Sequence, residues 1–288
     1  VQGGQRVNRI PFRWRRYGMF WFALMRMIHV SIITPRHEKE RLLFPLRDLN
    51  PTRIFPIITI GLIALNVFIF FAWQPHDTLE EETDFLLENA AIACELTTGD
   101  PISQDEFDRG ECSDDPATAI FPGKNVWLAA AVSMFLHGGI GHLVSNMWFL
   151  WIFGNNVEEA YGSGGYLLMY LVAGVGATVA FVLANMDATV PMIGASGAIA
   201  GVLGAYLVLF PTHRVLTIFL FFFVHVPAGA YLVLWILMQF FYHEPGDAWE
   251  AHVGGFVVGL VLTLVLRPLL LGRVQRLHQP VRRQTLFR

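Results

Sequence analysis

Residues 191–210 read PMIGASGAIAGVLGAYLVLF, a run of 20 residues without a single charged side chain. An α-helix rises about 1.5 Å per residue, so about 20 apolar residues cross the roughly 30 Å hydrocarbon core of a bilayer. Apolar residues lie on every side of such a helix, which is typical of a helix in lipid and not of an amphipathic surface helix. The run therefore predicts a membrane-spanning helix.

Five further segments of similar character predict the same structure. They are Phe55 to Trp73, His137 to Val157, Gly165 to Asn185, Val215 to Phe241 and Trp249 to Leu271. Lipid offers no water to exposed backbone groups, so spanning segments are helices or closed barrels, and these long runs lack the ten-residue alternation of barrel strands. The expected fold is all-α: a polytopic membrane protein with a bundle of six transmembrane helices.

The composition of the 288-residue chain agrees with this prediction. Apolar residues make up 54% and charged residues only 15%, whereas a soluble domain carries about 25% charged residues. This balance excludes a water-soluble globular protein, a disordered chain and a nucleic-acid binder. Two cysteines are too few for a disulfide scaffold or a structural zinc site, and we expect no metal and no organic cofactor.

The basic residues are concentrated at the two ends of the chain. Of 20 Lys and Arg, 11 precede the first span and six end or follow the last, with Arg214 between spans four and five. Residues 74–125, between spans one and two, carry 14 acidic residues against Arg109 and Lys124. The positive-inside rule then places both termini in the cytoplasm and this loop outside, and we expect a bacterial plasma membrane, with an organellar membrane as the alternative. The acidic loop is interpreted as solvated, with a cation site or a substrate-recruiting surface as alternatives.

Spans and charges together divide the chain into three parts. Residues 1–54 form a basic cytoplasmic segment. In it, Tyr17 to Ile33 predicts an interfacial helix or a docked N-terminal element and not a span, because a central arginine is costly in a spanning helix. Residues 55–271 form the six-helix membrane domain, and residues 272–288 form a basic cytoplasmic tail.

Both cysteines, Cys94 and Cys112, lie in the outward loop. An oxidising compartment would let them pair, and a disulfide closing a loop of this size contributes about 3 kcal/mol in the chain-entropy model. Sequence does not give the distance between them, so a disulfide and two free thiols are both open.

Three groups of polar residues lie at the starts of alternate predicted spans. His137, His142 and Asn146 open the second span, Ser196 opens the fourth, and His252 opens the sixth. Even-numbered spans all run from outside to inside, so their first turns share the outer leaflet. A serine and a histidine at one depth can form a nucleophile and its general base, and the second span offers donors for an oxyanion.

The spacing of these residues favours a reactive site. His142 and Asn146 are four residues apart and share one helix face. Ser196 begins a helix, where free backbone N–H groups favour a developing negative charge. Small residues flank Ser196 and continue along the fourth and sixth spans, so that the two helices can touch at backbone distance; they include Gly194, Gly197, Gly201, Gly204, Gly255 and Gly259.

These motifs resemble those of the rhomboid intramembrane serine proteases. The matching stretches are HGGIGHLVSN at 137–146, GASG at 194–197, Ala251-His252 followed by Gly255 and Gly259, and NNVE at 155–158 followed by Gly162. They occur in the family's order, and the resemblance covers about Val126 to Pro268.

The resemblance implies an intramembrane serine endopeptidase with a Ser–His dyad and no acidic third member. Ser196 would be the nucleophile and His252 the general base, while His142 and Asn146 would donate to the oxyanion and His137 would be structural. Gly194, Gly197, Gly255 and Gly259 would support the site. The substrates would be transmembrane proteins, cut within the bilayer in or near their own helices, and the fifth span would act as a lateral gate.

One position departs from the family pattern. Several members carry an aromatic residue four positions after the nucleophile, stacked on the catalytic histidine, whereas this chain has Ala200. What orients His252 is therefore left open. One alternative function is a catalytically inactive rhomboid-like protein that binds or escorts membrane clients. Another is a transporter or channel, for which the sequence offers no repeats, broken helices or paired intramembrane charges.

Overall fold

A computed structural model describes residues 44–113, 118–219, 222–241 and 247–279. The predicted helix at Tyr17 to Ile33 and most of the predicted tail lie outside these residues. In the described chain the elements are β1 (Phe44–Asp48), α1 (Ile57–Ala72), α2 (Leu79–Asn89), α3 (Ala93–Thr98), α4 (Gln104–Arg109), α5 (Val126–Ser133), α6 (Ile140–Tyr161), α7 (Ser163–Ala184), α8 (Ser196–Leu209), β2 (Arg214–Phe219), β3 (Phe222–Pro227), α9 (Ala228–Phe241) and α10 (Trp249–His278).

The predicted helical membrane bundle is confirmed, and α8 is its central helix. Eleven of the 14 residues of α8 are buried, and they pack against α10, α7 and α6. Helices α7 and α10 are long and apolar enough to cross a membrane, whereas α1, α8 and α9 are shorter apolar helices. A helix of 14 residues is about 21 Å long, so α8 is shorter than the roughly 30 Å hydrocarbon core of a bilayer.

The predicted fifth span, Val215 to Phe241, is wrong in its first half. Arg214–Phe219 and Phe222–Pro227 form the antiparallel strands β2 and β3, and the helical part of this predicted span is Ala228–Phe241. Strand β1 completes an antiparallel sheet of order β1-β2-β3, with Phe44 opposite Ile218 and Asp48 opposite Val215. An apolar run rich in β-branched and aromatic residues suits a strand as well as a helix, and the apolar composition alone does not separate them.

Helices α8 and α10 meet at their backbones. A Cβ atom added at Gly255 would overlap the carbonyl oxygen of Gly197, and one added at Gly259 would overlap the carbonyl oxygen of Gly201. Such close approach is typical of small-residue faces in membrane helices, where packing rather than water exclusion drives association. This contact fixes the distance between the first turns of α8 and α10.

Two carboxylates at the end of α6 anchor the start of α1. The Glu158 carboxylate accepts hydrogen bonds from the backbone N–H groups of Ile58 (3.0 Å) and Thr59 (2.8 Å). Glu159 accepts from the backbone N–H of Ile54 at 3.1 Å. Free N–H groups at a helix start need such acceptors, and Pro56 before α1 offers no side-chain cap. The two carboxylates therefore join α1 to α6 at the end opposite Ser196.

The loop at residues 74–125 differs from the solvated loop that its charge predicts. It folds into a cap containing α2, α3 and α4, with its own buried cluster of Leu87, Ile92, Cys94 and Ile102. Cys94 and Cys112 form a disulfide across this cap.

A buried ion pair joins the end of the cap to its core. Lys124 Nζ lies 2.5 Å from Glu95 Oε2, and each side chain is 1% exposed. Burial raises the pKa of Glu95 and lowers the pKa of Lys124, and their mutual hydrogen bond opposes both shifts. Lys124 Nζ also donates to the carbonyl oxygens of Leu87 and Ala90, so one lysine holds α2 and α3 together.

Candidate active site

Ser196 is the first residue of α8 and follows a tightly constrained loop. Gly194 has a positive φ of 128°, and its N–H donates to the carbonyl of Ser133 at 3.0 Å. A Cβ atom at Gly194 would lie 2.7 Å from His142 Nε2 and 3.4 Å from Ser196 Oγ. Only glycine therefore fits between the histidine of α6 and the serine of α8.

Ser196 and His252 are in hydrogen-bonding contact. Ser196 Oγ lies 2.9 Å from His252 Nε2, although the residues are 56 positions apart and belong to α8 and α10. Both side chains are half-buried. A serine hydroxyl bonded to a neutral imidazole nitrogen is the arrangement that lets the imidazole take the proton as the oxygen attacks.

His142 presents a ring nitrogen to the same place. Its Nδ1 accepts a hydrogen bond from the backbone N–H of Gly138 at 3.3 Å, so in the neutral ring the proton lies on Nε2. That nitrogen is the atom nearest to a Cβ built on Gly194. His142 therefore holds an N–H group beside Ser196, which suits a negative charge developing on a substrate oxygen.

Asn146 lies one turn further along the same face of α6. It is 6% exposed, and its Nδ2 donates to the carbonyl oxygen of His142 at 2.9 Å. An amide group carries two hydrogens on this nitrogen, so one remains for a second acceptor.

The residues of this site lie within a region shared with a known protein family. The family model described as the Rhomboid domain matches residues 124–269, more than half of the chain. The chain belongs to the rhomboid family. The match contains all four residues of the candidate site and begins at Lys124, the end of the cap.

Curated rhomboid proteins resemble the chain over part of their length. Rhomboid protease GluP of Bacillus subtilis is 33% identical over 141 residues, 49% of this chain and 26% of that protein. Rhomboid protein 1 from yeast mitochondria is 31% identical over 140 residues, 45% of this chain and 39% of that protein. RHOMBOID-like protein 12 from Arabidopsis thaliana mitochondria is 26% identical over 223 residues, 71% of this chain and 56% of that protein.

The chain thus spans about a quarter to just over half of the length of these relatives. Membership of this family shows that the chain is an integral membrane protein. Because mitochondrial proteins stand beside a bacterial one, the similarity does not support the expected bacterial plasma membrane over an organellar one.

His137 packs against His142 of the candidate site. It is fully buried, and its ring meets the His142 ring edge-on at a centroid distance of 4.9 Å. Gln74, just after α1, accepts from the His137 N–H and donates to its carbonyl, both at 3.0 Å. Sequence reasoning missed Gln74, whose signal was a polar residue directly after an apolar run.

The cap holds the loop that leads to Ser196. Met192 donates its backbone N–H to the carbonyl of Ala91 at 2.7 Å, and Cys94 donates to the carbonyl of Ala188 at 3.0 Å. The Ser133 hydroxyl also contacts the Met192 carbonyl. The disulfide-bonded cap is therefore part of the support of the loop before Ser196, a role that its acidic composition did not indicate.

The side chain beside the second ring nitrogen of His252 was also missed. Gln239 of α9 places its Oε1 2.8 Å from His252 Nδ1. Ala200, the residue in the family's aromatic position, is fully buried in α8. Among the described residues, no group of three or more His, Cys, Asp and Glu could hold a metal ion.

Proposed function

We propose that this rhomboid protein is an intramembrane serine endopeptidase that cleaves transmembrane segments of other membrane proteins. The observation that carries the proposal is the 2.9 Å contact between Ser196 Oγ and His252 Nε2. A scaffold that only binds membrane clients has no need of a serine paired with an imidazole, so the contact favours the enzyme over the client-binding alternative.

The proposed reaction begins with attack on a substrate carbonyl carbon. His252 Nε2 takes the proton of Ser196 as Oγ forms the new bond, and the carbonyl oxygen becomes an oxyanion. His142 Nε2–H, the free amide hydrogen of Asn146 and the backbone N–H of Ser196 are the proposed donors to that oxygen. The protonated His252 then gives its proton to the leaving amine, which leaves an ester on Ser196.

Water completes the proposed reaction. His252, neutral again, takes a proton from a water molecule that attacks the ester carbon, and it returns that proton to Ser196 Oγ as the acid leaves. The half-buried positions of Ser196 and His252 are consistent with entry of water at the outer end of α8. No cofactor enters this scheme.

We propose a topology in which Ser196 is accessible from the side of the membrane opposite the basic ends of the chain. Both the segment before α1 and the end of α10 carry basic residues, which favours a common cytoplasmic or matrix-like side. The three-part division at residues 54 and 271 remains a proposal, with the addition that Phe44–Asp48 of the first part pairs with the hairpin after α8.

Purified protein tests the function directly. We expect the protein in detergent to cleave a fluorescently labelled transmembrane peptide and to react with a fluorophosphonate. Mass spectrometry of the labelled protein should place the phosphonate on Ser196, because only a hydroxyl activated by a base reacts readily. A protein that binds the peptide, leaves it uncut and takes up no phosphonate would instead be the client-binding relative.

A substitution at Asn146 tests the oxyanion donors. Asn146→Ala should lower kcat by about 100-fold, since loss of one oxyanion donor costs about 3 kcal/mol. The KM for the labelled peptide should change little, because the donor acts mainly on the transition state. Steady-state kinetics with a melting curve check this, and an unchanged kcat in a folded variant would remove Asn146 from the mechanism.

A further inference from the structure

We propose that Gln239 is the positioning residue of the dyad: it holds His252 in the tautomer that leaves Nε2 free to accept the Ser196 proton. The inference rests on the proposed protease function and answers what replaces the aromatic residue at the Ala200 position. The two ring nitrogens of His252 have different partners. Nε2 lies 2.9 Å from Ser196 Oγ, and Nδ1 lies 2.8 Å from Gln239 Oε1.

The orientation of the Gln239 amide follows from its second hydrogen bond. Its Nε2 lies 3.3 Å from the carbonyl oxygen of Trp235, one turn earlier on α9. A carbonyl oxygen only accepts, so the nitrogen of the amide must face it and the oxygen must face His252. Oε1 is therefore the atom at the imidazole.

An amide oxygen has no hydrogen to donate, so the proton of this contact belongs to the ring. His252 Nδ1 donates to Gln239 Oε1, and the neutral ring then has its lone pair on Nε2. That lone pair faces Ser196 Oγ. The opposite tautomer would place two acceptors, Nδ1 and Oε1, 2.8 Å apart, which is repulsive, so Gln239 selects the base-competent form.

Trp235, on the same helix as Gln239, restricts the movement of the His252 ring. Its ring centroid lies 6.2 Å from that of His252, and it stacks on Phe256 of α10. Gln239 and Trp235 are four residues apart, so both project from one face of α9. The Nδ1 side of the imidazole is thus held by α9, whereas Ser196 of α8 contacts Nε2.

Helix α9 is a peripheral element of the bundle. Its buried residues are Ala228, Tyr231 and Leu232, all near its start, whereas Leu237, Phe240 and Phe241 are exposed. The half that carries Gln239 is therefore the loosely packed half. Displacement of this half away from α10 would break the Gln239 contact and release the tautomer of His252.

Two substitutions at Gln239 separate its acceptor oxygen from its bulk. Gln239→Met keeps the length and removes the acceptor, whereas Gln239→Glu keeps an acceptor oxygen. We expect Gln239→Met to lower kcat about 10- to 100-fold with KM within about twofold, and to slow fluorophosphonate labelling by the same factor. At about pH 8.5, where the added carboxylate no longer keeps the imidazole protonated, Gln239→Glu should stay within about fivefold of wild type.

Leu237→Met is the matched control, because it introduces the same side chain at an exposed position of the same helix. Its kcat, labelling rate and melting temperature should equal those of wild type. Two results would overturn the inference: a folded Gln239→Met protein with wild-type kcat and labelling, or a Gln239→Glu protein as slow as Gln239→Met. A wild-type protein that neither cleaves nor labels would instead remove the proposed function, and this inference with it.

Discussion

Ser196→Ala protein is expected to cleave a labelled transmembrane peptide at least about 10⁴-fold more slowly than wild type, at the background of the assay. The reaction proposed here needs a bond from Oγ to the substrate carbon, and a methyl group cannot form it. The variant should fold normally, because removing one half-buried hydroxyl leaves the packing of α8 unchanged. Cleavage kinetics and a melting curve on the same preparation measure both quantities.

Ser145→Ala is the control for this variant. Its hydroxyl lies on α6 and donates within that helix to the carbonyl of His142 at 3.3 Å, so its loss should leave cleavage near the wild-type rate. Fluorophosphonate labelling should persist in the Ser145 variant and vanish in the Ser196 variant. Wild-type cleavage by the Ser196→Ala protein would refute the assignment of the nucleophile.

Gly255→Ala is expected to impair both the fold and the reaction. The new methyl group would lie 1.9 Å from the Gly197 carbonyl oxygen, and backbone cannot yield as a flexible side chain does. Helices α8 and α10 must separate, which costs about 1–3 kcal/mol of unfolding free energy. A displacement on the order of 1 Å at a reacting pair lowers turnover about 100-fold or more. Denaturation in detergent and cleavage kinetics would measure the two losses.

Gly272→Ala tests whether position on α10 decides this effect. Gly272 belongs to the same helix, but a Cβ there meets only the end of the Arg276 side chain, at 3.9 Å. Alanine is also the better helix former, so this variant should match or exceed the wild-type stability by up to about 1 kcal/mol. Equal effects of the two substitutions would contradict the backbone contact between α8 and α10.

The bundle was predictable because hydrophobicity and length act locally along each spanning helix. The common depth of Ser196, His142 and His252 was predictable as well, since an odd or even place in the series of spans fixes the direction of each helix. Their assembly needed one more condition, the backbone contact at Gly255, for which the spacing of small residues was a readable signal. Each of these signals can be read within a single span, although the contact itself joins two spans.

Three features depended on tertiary partners that no sequence pattern indicates, and they were not predictable. The run after Pro211 forms strands because β1, more than 160 residues earlier, pairs with it. The outer loop forms a cap because Lys124 reaches Glu95 and two cysteines join, whereas its composition indicates only charge. Gln239 is the single amide side chain in an otherwise apolar helix. The neighbouring sequence does not show whether such an amide faces lipid or an imidazole.

Strand β1 has a practical consequence for making shortened versions of the protein. It is held by three neighbours, since Pro45 accepts from Trp148 Nε1 at 2.8 Å, Asp48 accepts from Asn156 Nδ2 at 2.5 Å, and both pair with β2. A truncation at residue 124, where the family match begins, would remove this strand and leave the edge of β2 unpaired. Unpaired strand edges promote aggregation. The smallest piece that can be expected to survive expression and purification therefore begins ahead of Phe44.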